Sequence, residues 1–255
     1  MTLTDTHTHL YVEQFDADRD LVVKKAVEEG VSRLFVPAID AAYFPAMFDL
    51  ERSFPENIFL MAGLHPTHVK ENYKEELEKI LKILGSHKFY GIGEIGIDLY
   101  WDKTFLKEQQ DAFKIQISWA KERDLPIVIH CRDAFDEIFE VLEEVNDDRL
   151  HGIFHCFTGD LSQAKQAISY NMKLGIGGVV TFKNGKIDKF LGEIPLDHIV
   201  LETDSPYLAP TPFRGKRNES SYLLNIAEKM AEIYQVSVEE IAKVTTQNSK
   251  EVFGV

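Results

Sequence analysis

Cysteine is scarce in this chain, cations are outnumbered, and no apolar run is long enough to cross a bilayer. The two cysteines, Cys131 and Cys156, cannot build a disulfide framework, which points to a reducing compartment. Both read as buried apolar fillers whose sulfurs point away from the face of the neighbouring histidines. The N-terminus carries no basic segment followed by an apolar stretch, so no secretory leader is expected and the cytoplasm is the expected location. With no low-complexity tract, fixed-period repeat or Gly/Ser linker, one domain is predicted over residues 1–255. Lys and Arg total 28 against 42 Asp and Glu, for a formal net charge of −14. Such a surface repels polyanions at a distance and excludes an extended groove tracking duplex DNA. A phosphate-bearing substrate would have to be met locally, by a few basic residues.

What is present is an alternation of short apolar runs with longer amphipathic ones. Strands are predicted over 33–38, 58–62, 89–93, 126–129, 152–154, 173–176 and from 199 onward, after an opening strand at 3–10. Helices are predicted between them over 20–29, 41–53, 75–84, 105–123, 135–145, 162–170 and, weakly, 187–191. Two more helices close the chain, the last opening with a capping box at Ser237 and Glu240. Eight strand–helix units predict an α/β fold, a (β/α)₈ TIM barrel, with a doubly wound open sheet as the architectural alternative.

In Asp5-Thr6-His7-Thr8-His9 the period-2 pattern puts His7 and His9 on one strand face with Asp5 behind them. Each further candidate ligand is expected where a strand ends: Glu94 after the fourth, His130 after the fifth, His155 after the sixth, Asp204 after the eighth. Any one of these histidines alone would read as an ordinary hydrogen-bonded residue. In a barrel, however, the strand ends share one mouth, where four imidazoles and two carboxylates suit two divalent cations that keep open positions for water. Glu94 is the expected bridge, and Asp204 both ligand and proton acceptor. Glu202 and Asp5, inward-facing and without a basic partner on these strands, are expected to orient ligating histidines. His68, His87, His151 and His198 fall in loops or at strand starts and are left outside the site.

Several ordered segments resemble the TatD family of metal-dependent hydrolases: Asp5-Thr6-His7-Thr8-His9-Leu10, Gly63-Leu64-His65-Pro66, the run from Gly91 to Asp98, and Leu125 to Ala134. His155-Cys156-Phe157-Thr158-Gly159, Leu201 to Leu208 and Arg214 to Glu219 extend the match over almost the whole chain. The resemblance implies a TIM barrel of the amidohydrolase type with metal ligands His7, His9, Glu94, His130, His155 and Asp204. It also implies deoxyribonuclease activity with 3′→5′ exonuclease action. Relatives such as phosphotriesterases place a carboxylated lysine where this chain has Glu94, so no such modification is needed here. Two positions depart from the family pattern, Ser220 for a proline and Tyr11 for an Asn or Asp turn; neither is expected to touch a ligand, and both are expected to alter substrate contacts.

The leading expectation is therefore hydrolysis of phosphodiester bonds at nucleic-acid ends, single-stranded DNA first. Asp204 and Glu94 are the catalytic carboxylates, and His65 protonates the leaving oxygen. Arg132, Arg214, Lys216 and Arg217, with Lys183, are expected around the phosphates, and Tyr100, Trp101, Phe157 and Tyr207 against a terminal base. Imidazole-rich shells favour zinc, manganese or iron over magnesium, whereas the resemblance implies magnesium, so Zn, Mn and Mg all stay open. The same chemistry serves a carbonyl ester or amide, such as a D-aminoacyl-tRNA, and a binding protein with a structural metal is the rival outside enzymology. Neither a membrane nor an obligate protein partner is read from the sequence.

Overall fold

A computed structural model describes residues 1–255. Eight parallel strands run β1 (Leu3–Asp5), β2 (Val31–Pro37), β3 (Ile58–Met61), β4 (Ile92–Asp98), β5 (Ile127–Arg132), β6 (Gly152–Phe154), β7 (Met172–Ile176) and β8 (Ile199–Leu201). Helices α1 (Arg19–Glu28), α2 (Phe44–Ser53), α3 (Tyr73–Leu84), α4 (Leu106–Arg123), α5 (Phe135–Val145) and α6 (Leu161–Ser169) alternate with them. Short 3₁₀ turns replace a helix between β7 and β8, where only a weak helix was expected. Helices α7 (Leu223–Tyr234) and α8 (Val238–Phe253) follow.

Strand order is sequential, β1-β2-β3 and β4 through β8, each neighbour parallel. A bridge between Ala62 and Ile92 joins the two runs, and the Thr6 amide donates to Leu201 O at 3.0 Å to close β8 onto β1. That closure makes the sheet a (β/α)₈ barrel and removes the open-sheet alternative.

Beneath the mouth, Phe35, Met61, Val128, Ile153 and Val200 pack with Val252 and Phe253 of α8. Phe253 stacks on Phe35 with ring centroids 3.8 Å apart. Val128, Ile153 and Val200 each lie two residues before His130, His155 and Glu202, so strand alternation turns those polar side chains inward above a packed floor.

Four local expectations are corrected. The fourth strand does not end at Gly93 but runs on to Asp98, fully buried, so Glu94 sits inside it. β5 likewise continues through His130 to Arg132, while β1 stops at Asp5, short of His7. Ser237 caps α8 through the Glu240 amide alone; the complete reciprocal box lies at Asp160 and Gln163 on α6.

Candidate metal centre

Glu94 is the hub of the mouth. Its Oε2 lies 3.2 Å from His7 Nε2 and 3.5 Å from His9 Nε2. Its Oε1 lies 2.7 Å from His130 Nδ1, 3.3 Å from His65 Nε2 and 3.7 Å from His155 Nε2. Asp204 Oδ1 approaches His9 at 3.6 Å, His7 at 3.8 Å and His155 at 3.9 Å. The six expected ligands therefore meet at one place, with one carboxylate oxygen facing each half. His65 joins the half that holds His130, where the sequence reading had only His155.

Backbone geometry aims these groups. The His9 amide donates to Ser205 O at 2.7 Å and the Asp204 amide to His7 O at 2.9 Å, locking the end of the first strand to the segment after β8. Asp204 (φ 57°) and Cys156 (φ 44°) hold left-handed conformations uncommon outside glycine. The turn at Cys156 also overturns the prediction for its sulfur, which lies with the ligand atoms of His155 and Glu202, all within 4.8 Å of one another, whereas Cys131 packs against the hydrophobic core as expected; both thiols are free. Burial pushes the Cys156 thiol well above its usual range, so it is no thiolate in the cation-free protein.

The supporting carboxylates only partly follow expectation. Glu202 Oε1 lies 2.9 Å from His155 Nδ1 and accepts from the Cys156 amide at 2.6 Å. Asp5 does not reach a histidine ring. It accepts from the His7 amide at 3.3 Å, the Thr203 amide at 2.9 Å and the Thr203 hydroxyl at 2.6 Å, tying β1 to the segment after β8.

Two contributors escaped the sequence reading. Asp98 Oδ2 lies 2.9 Å from His130 Nε2, and its four-residue offset from Glu94 on one strand was the available signal. The Tyr11 hydroxyl lies 3.0 Å from His9 Nδ1, which corrects the expectation that this position touches no ligand. Neither family departure contacts substrate space directly: Tyr11 is buried, and Ser220, also buried, donates to the Thr8 hydroxyl at 3.2 Å.

Electrostatics in the cation-free site separate the imidazoles. Burial holds His7 well below its ordinary value and brings His65 down to about 4. At His130 burial is outweighed by Asp98 and Glu94, which lift it to about 8. At His155 the carboxylates of Glu202, Glu94 and Asp204 overcome burial and raise it to about 10. Burial lifts Asp204 to about 6, whereas for Glu94 the surrounding histidines outweigh burial and keep it ionised.

His9, His65, Glu94, His130, His155 and Asp204 face a cavity of about 620 Å³. Of the expected phosphate contacts only Arg132 lines it, its guanidinium 3.7 Å over the Tyr100 ring and 5.4 Å from Trp101. Arg214 lies over Phe182 at 3.5 Å, and Lys216 and Lys183 are exposed, none of them lining the cavity. Arg217 is withdrawn altogether, paired with both Asp18 oxygens at 2.8 and 2.7 Å. Tyr207 and Trp101 line the cavity, whereas Phe157 is buried against Phe135 and Phe154 and cannot stack a base.

The donor set fits divalent cations. The Nε2 atoms of His7 and His9 stand 3.1 Å apart and both face Glu94 and Asp204, an arrangement of lone pairs and negative charge that only protons or cations can occupy.

A model of TatD-related DNases matches residues 4–254. The chain is 40% identical over 254 residues, 99% of each chain, to the uncharacterized metal-dependent hydrolase YabD of Bacillus subtilis. It is 33% identical over 261 residues to the uncharacterized metal-dependent hydrolase YcfH of Escherichia coli, covering 100% of this chain and 97% of the relative. Among solved structures, YjjV, a TatD homologue from Escherichia coli, superposes with a TM-score of 0.93 at 28% identity, covering 99% and 98% of the two chains. A TatD-family hydrolase from Entamoeba histolytica shares the fold, with a TM-score of 0.89 at 21% identity over 99% and 98%.

Proposed function

We propose, from the premise that this chain belongs to the family of TatD-related DNases and is a metal-dependent hydrolase, that it cleaves phosphodiester bonds at the ends of single-stranded DNA. His7, His9, Glu94 and Asp204 would hold one divalent cation, and Glu94, His130 and His155, with His65 adjacent, a second. Such cations supply an activated water and neutralise charge developing on the attacked phosphate.

The chain's own residues do the rest. Asp204, whose Oδ1 lies 3.6 Å from His9, 3.8 Å from His7 and 3.9 Å from His155, is placed to take a proton from a water held between them. His65, brought down to about 4, is neutral there and so cannot act as an imidazolium acid; the Thr67 amide donates to its Nδ1 at 3.2 Å, which leaves Nε2–H to donate to the leaving oxygen. Arg132 would position a phosphate at the rim.

The observation that carries this reading is the division of Glu94's two oxygens between two imidazole sets. The test is release of nucleotides from end-labelled single-stranded oligonucleotides with Mg²⁺, Mn²⁺ or Zn²⁺. Activity lost in chelator and in folded Asp204→Asn supports it, and no release with any metal contradicts it. Hydrolysis of a carbonyl ester such as a D-aminoacyl-tRNA is the second reading. It is favoured by Arg132 being the one lysine or arginine at the cavity wall, and ester turnover without DNA cleavage would select it.

A further inference from the structure

Tyr11 is an unusual neighbour for a candidate ligand. It sits two residues after His9 with its ring 2% exposed and the Tyr43 ring edge-on at 5.3 Å, so it cannot swing away. Its hydroxyl donates to the Pro37 carbonyl at 2.9 Å and lies 3.0 Å from His9 Nδ1.

We infer that Tyr11 is a positioning residue that fixes His9 in the tautomer protonated on Nδ1, so that Nε2 is the atom offered to a cation. The inference rests on the metal-site reading above, but its first readout does not.

A phenol carries one proton. The Pro37 carbonyl has none to give, so the 2.9 Å oxygen–oxygen contact is favourable only when Tyr11 is the donor there. The phenolic oxygen is then an acceptor toward His9, and Nδ1 must hold a hydrogen. The opposite assignment, Tyr11 donating to Nδ1, leaves two oxygens facing each other in a dry setting with no hydrogen between them.

The other side of the ring agrees. His7 Nδ1 is buried with no hydrogen-bond partner, a state less costly for a bare lone pair than for an N–H. That places the His7 hydrogen on Nε2, which lies 3.1 Å from His9 Nε2 and can donate to it. One chain of donors results: His7 Nε2–H to His9 Nε2, His9 Nδ1–H to Tyr11, Tyr11 O–H to Pro37. The His7 link is compatible with a bare His9 Nε2 (Glu94 Oε2 at 3.2 Å is its other acceptor), and the Tyr11 link requires one. A cation entering the site would meet that lone pair without a change of tautomer at His9, while His7 would have to give up its Nε2 hydrogen.

The experiment is long-range ¹H–¹⁵N correlation on histidine-labelled, metal-free protein at alkaline pH, with chelator-competition titration of Zn²⁺. Wild type is expected to show His9 protonated on Nδ1. Tyr11→Phe is expected to move population to the Nε2-protonated form and to weaken Zn²⁺ binding by about 10- to 100-fold, as loss of a partner to a ligating imidazole does. Nε2 protonation in wild type would overturn the inference, as would an unchanged tautomer and affinity in Tyr11→Phe. Should that variant not fold, the wild-type tautomer decides alone. Failure of the metal-site reading is separately visible, as wild-type protein that binds no Zn²⁺ whatever its tautomer.

Discussion

Glu202 illustrates how a residue that never faces solvent can govern the site. It is fully buried, accepts from the Cys156 amide and stands 2.9 Å from His155 Nδ1, so His155 is held with Nε2 toward Glu94 and Asp204. Glu202→Gln keeps the shape and removes the charge that holds this ring. The expected result is metal affinity lower by about 10- to 100-fold with the fold retained, read by chelator competition; unchanged affinity would remove Glu202 from the supporting shell. At this scale the candidate ligands were legible because the carboxyl-terminal halves of barrel strands share a mouth, so chemically apt residues there meet even though Glu94 and His130 lie inside their strands and His7 beyond its own. Arg217 was not legible: a basic loop residue looks the same whether it waits for phosphate or, as here, is paired with Asp18. Tyr11 was not legible either, since nothing local tells that its hydroxyl turns back to His9.

Strand limits were the less readable part of the elements. β4 reads as broken because Gly91, Gly93 and Gly96 look like punctuation, yet Ile92, Ile95 and Ile97 carry it through to Asp98. Gly93 serves close approach instead, since a Cβ there would meet Val128 Cβ at 2.8 Å. Gly175 on β7 has the same role beside the site: a Cβ would lie 2.3 Å from Glu202 Oε2. Gly175→Ala is therefore expected to cost roughly 1–3 kcal/mol in denaturant unfolding and to weaken metal binding in the same direction as Glu202→Gln, because the displaced carboxylate supports His155. Normal stability and affinity would show that the strand gives way without disturbing Glu202. The amphipathic helices were better specified, α5 being placed at the predicted residues because Ile138, Phe139 and Leu142 repeat at helical spacing and are buried.

For the whole molecule, the acidic surface and the crowded mouth set opposite pH behaviours with and without metal. In the cation-free protein His155 is raised to about 10 and His130 to about 8, and burial raises Asp5 to about 7. Groups raised above their unfolded values bind more protons when folded, so the stability they add is present at low pH and is lost as pH climbs through these values. Burial acts the other way on His65, brought down to about 4, but only below about pH 6.5, its ordinary value. The cation-free protein should thus lose thermal stability between about pH 6.5 and 10. Zn²⁺ binding should strengthen over the same interval, since ligating imidazoles must shed those protons. Melting curves across that interval with and without Zn²⁺ check both slopes; a cation-free stability that rises with pH would contradict the charge assignment. No helix is long and apolar enough to cross a membrane.

The most direct measurement is metal stoichiometry. Wild-type protein and Glu94→Gln, each equilibrated with Mn²⁺ and freed of excess, would be assayed for bound metal beside nucleotide release from single-stranded DNA. Two cations per chain in wild type, with both metal and activity falling in Glu94→Gln, is the predicted result. A wild-type chain that holds no metal, or a variant that holds as much as wild type and cleaves as fast, would contradict a centre built around Glu94.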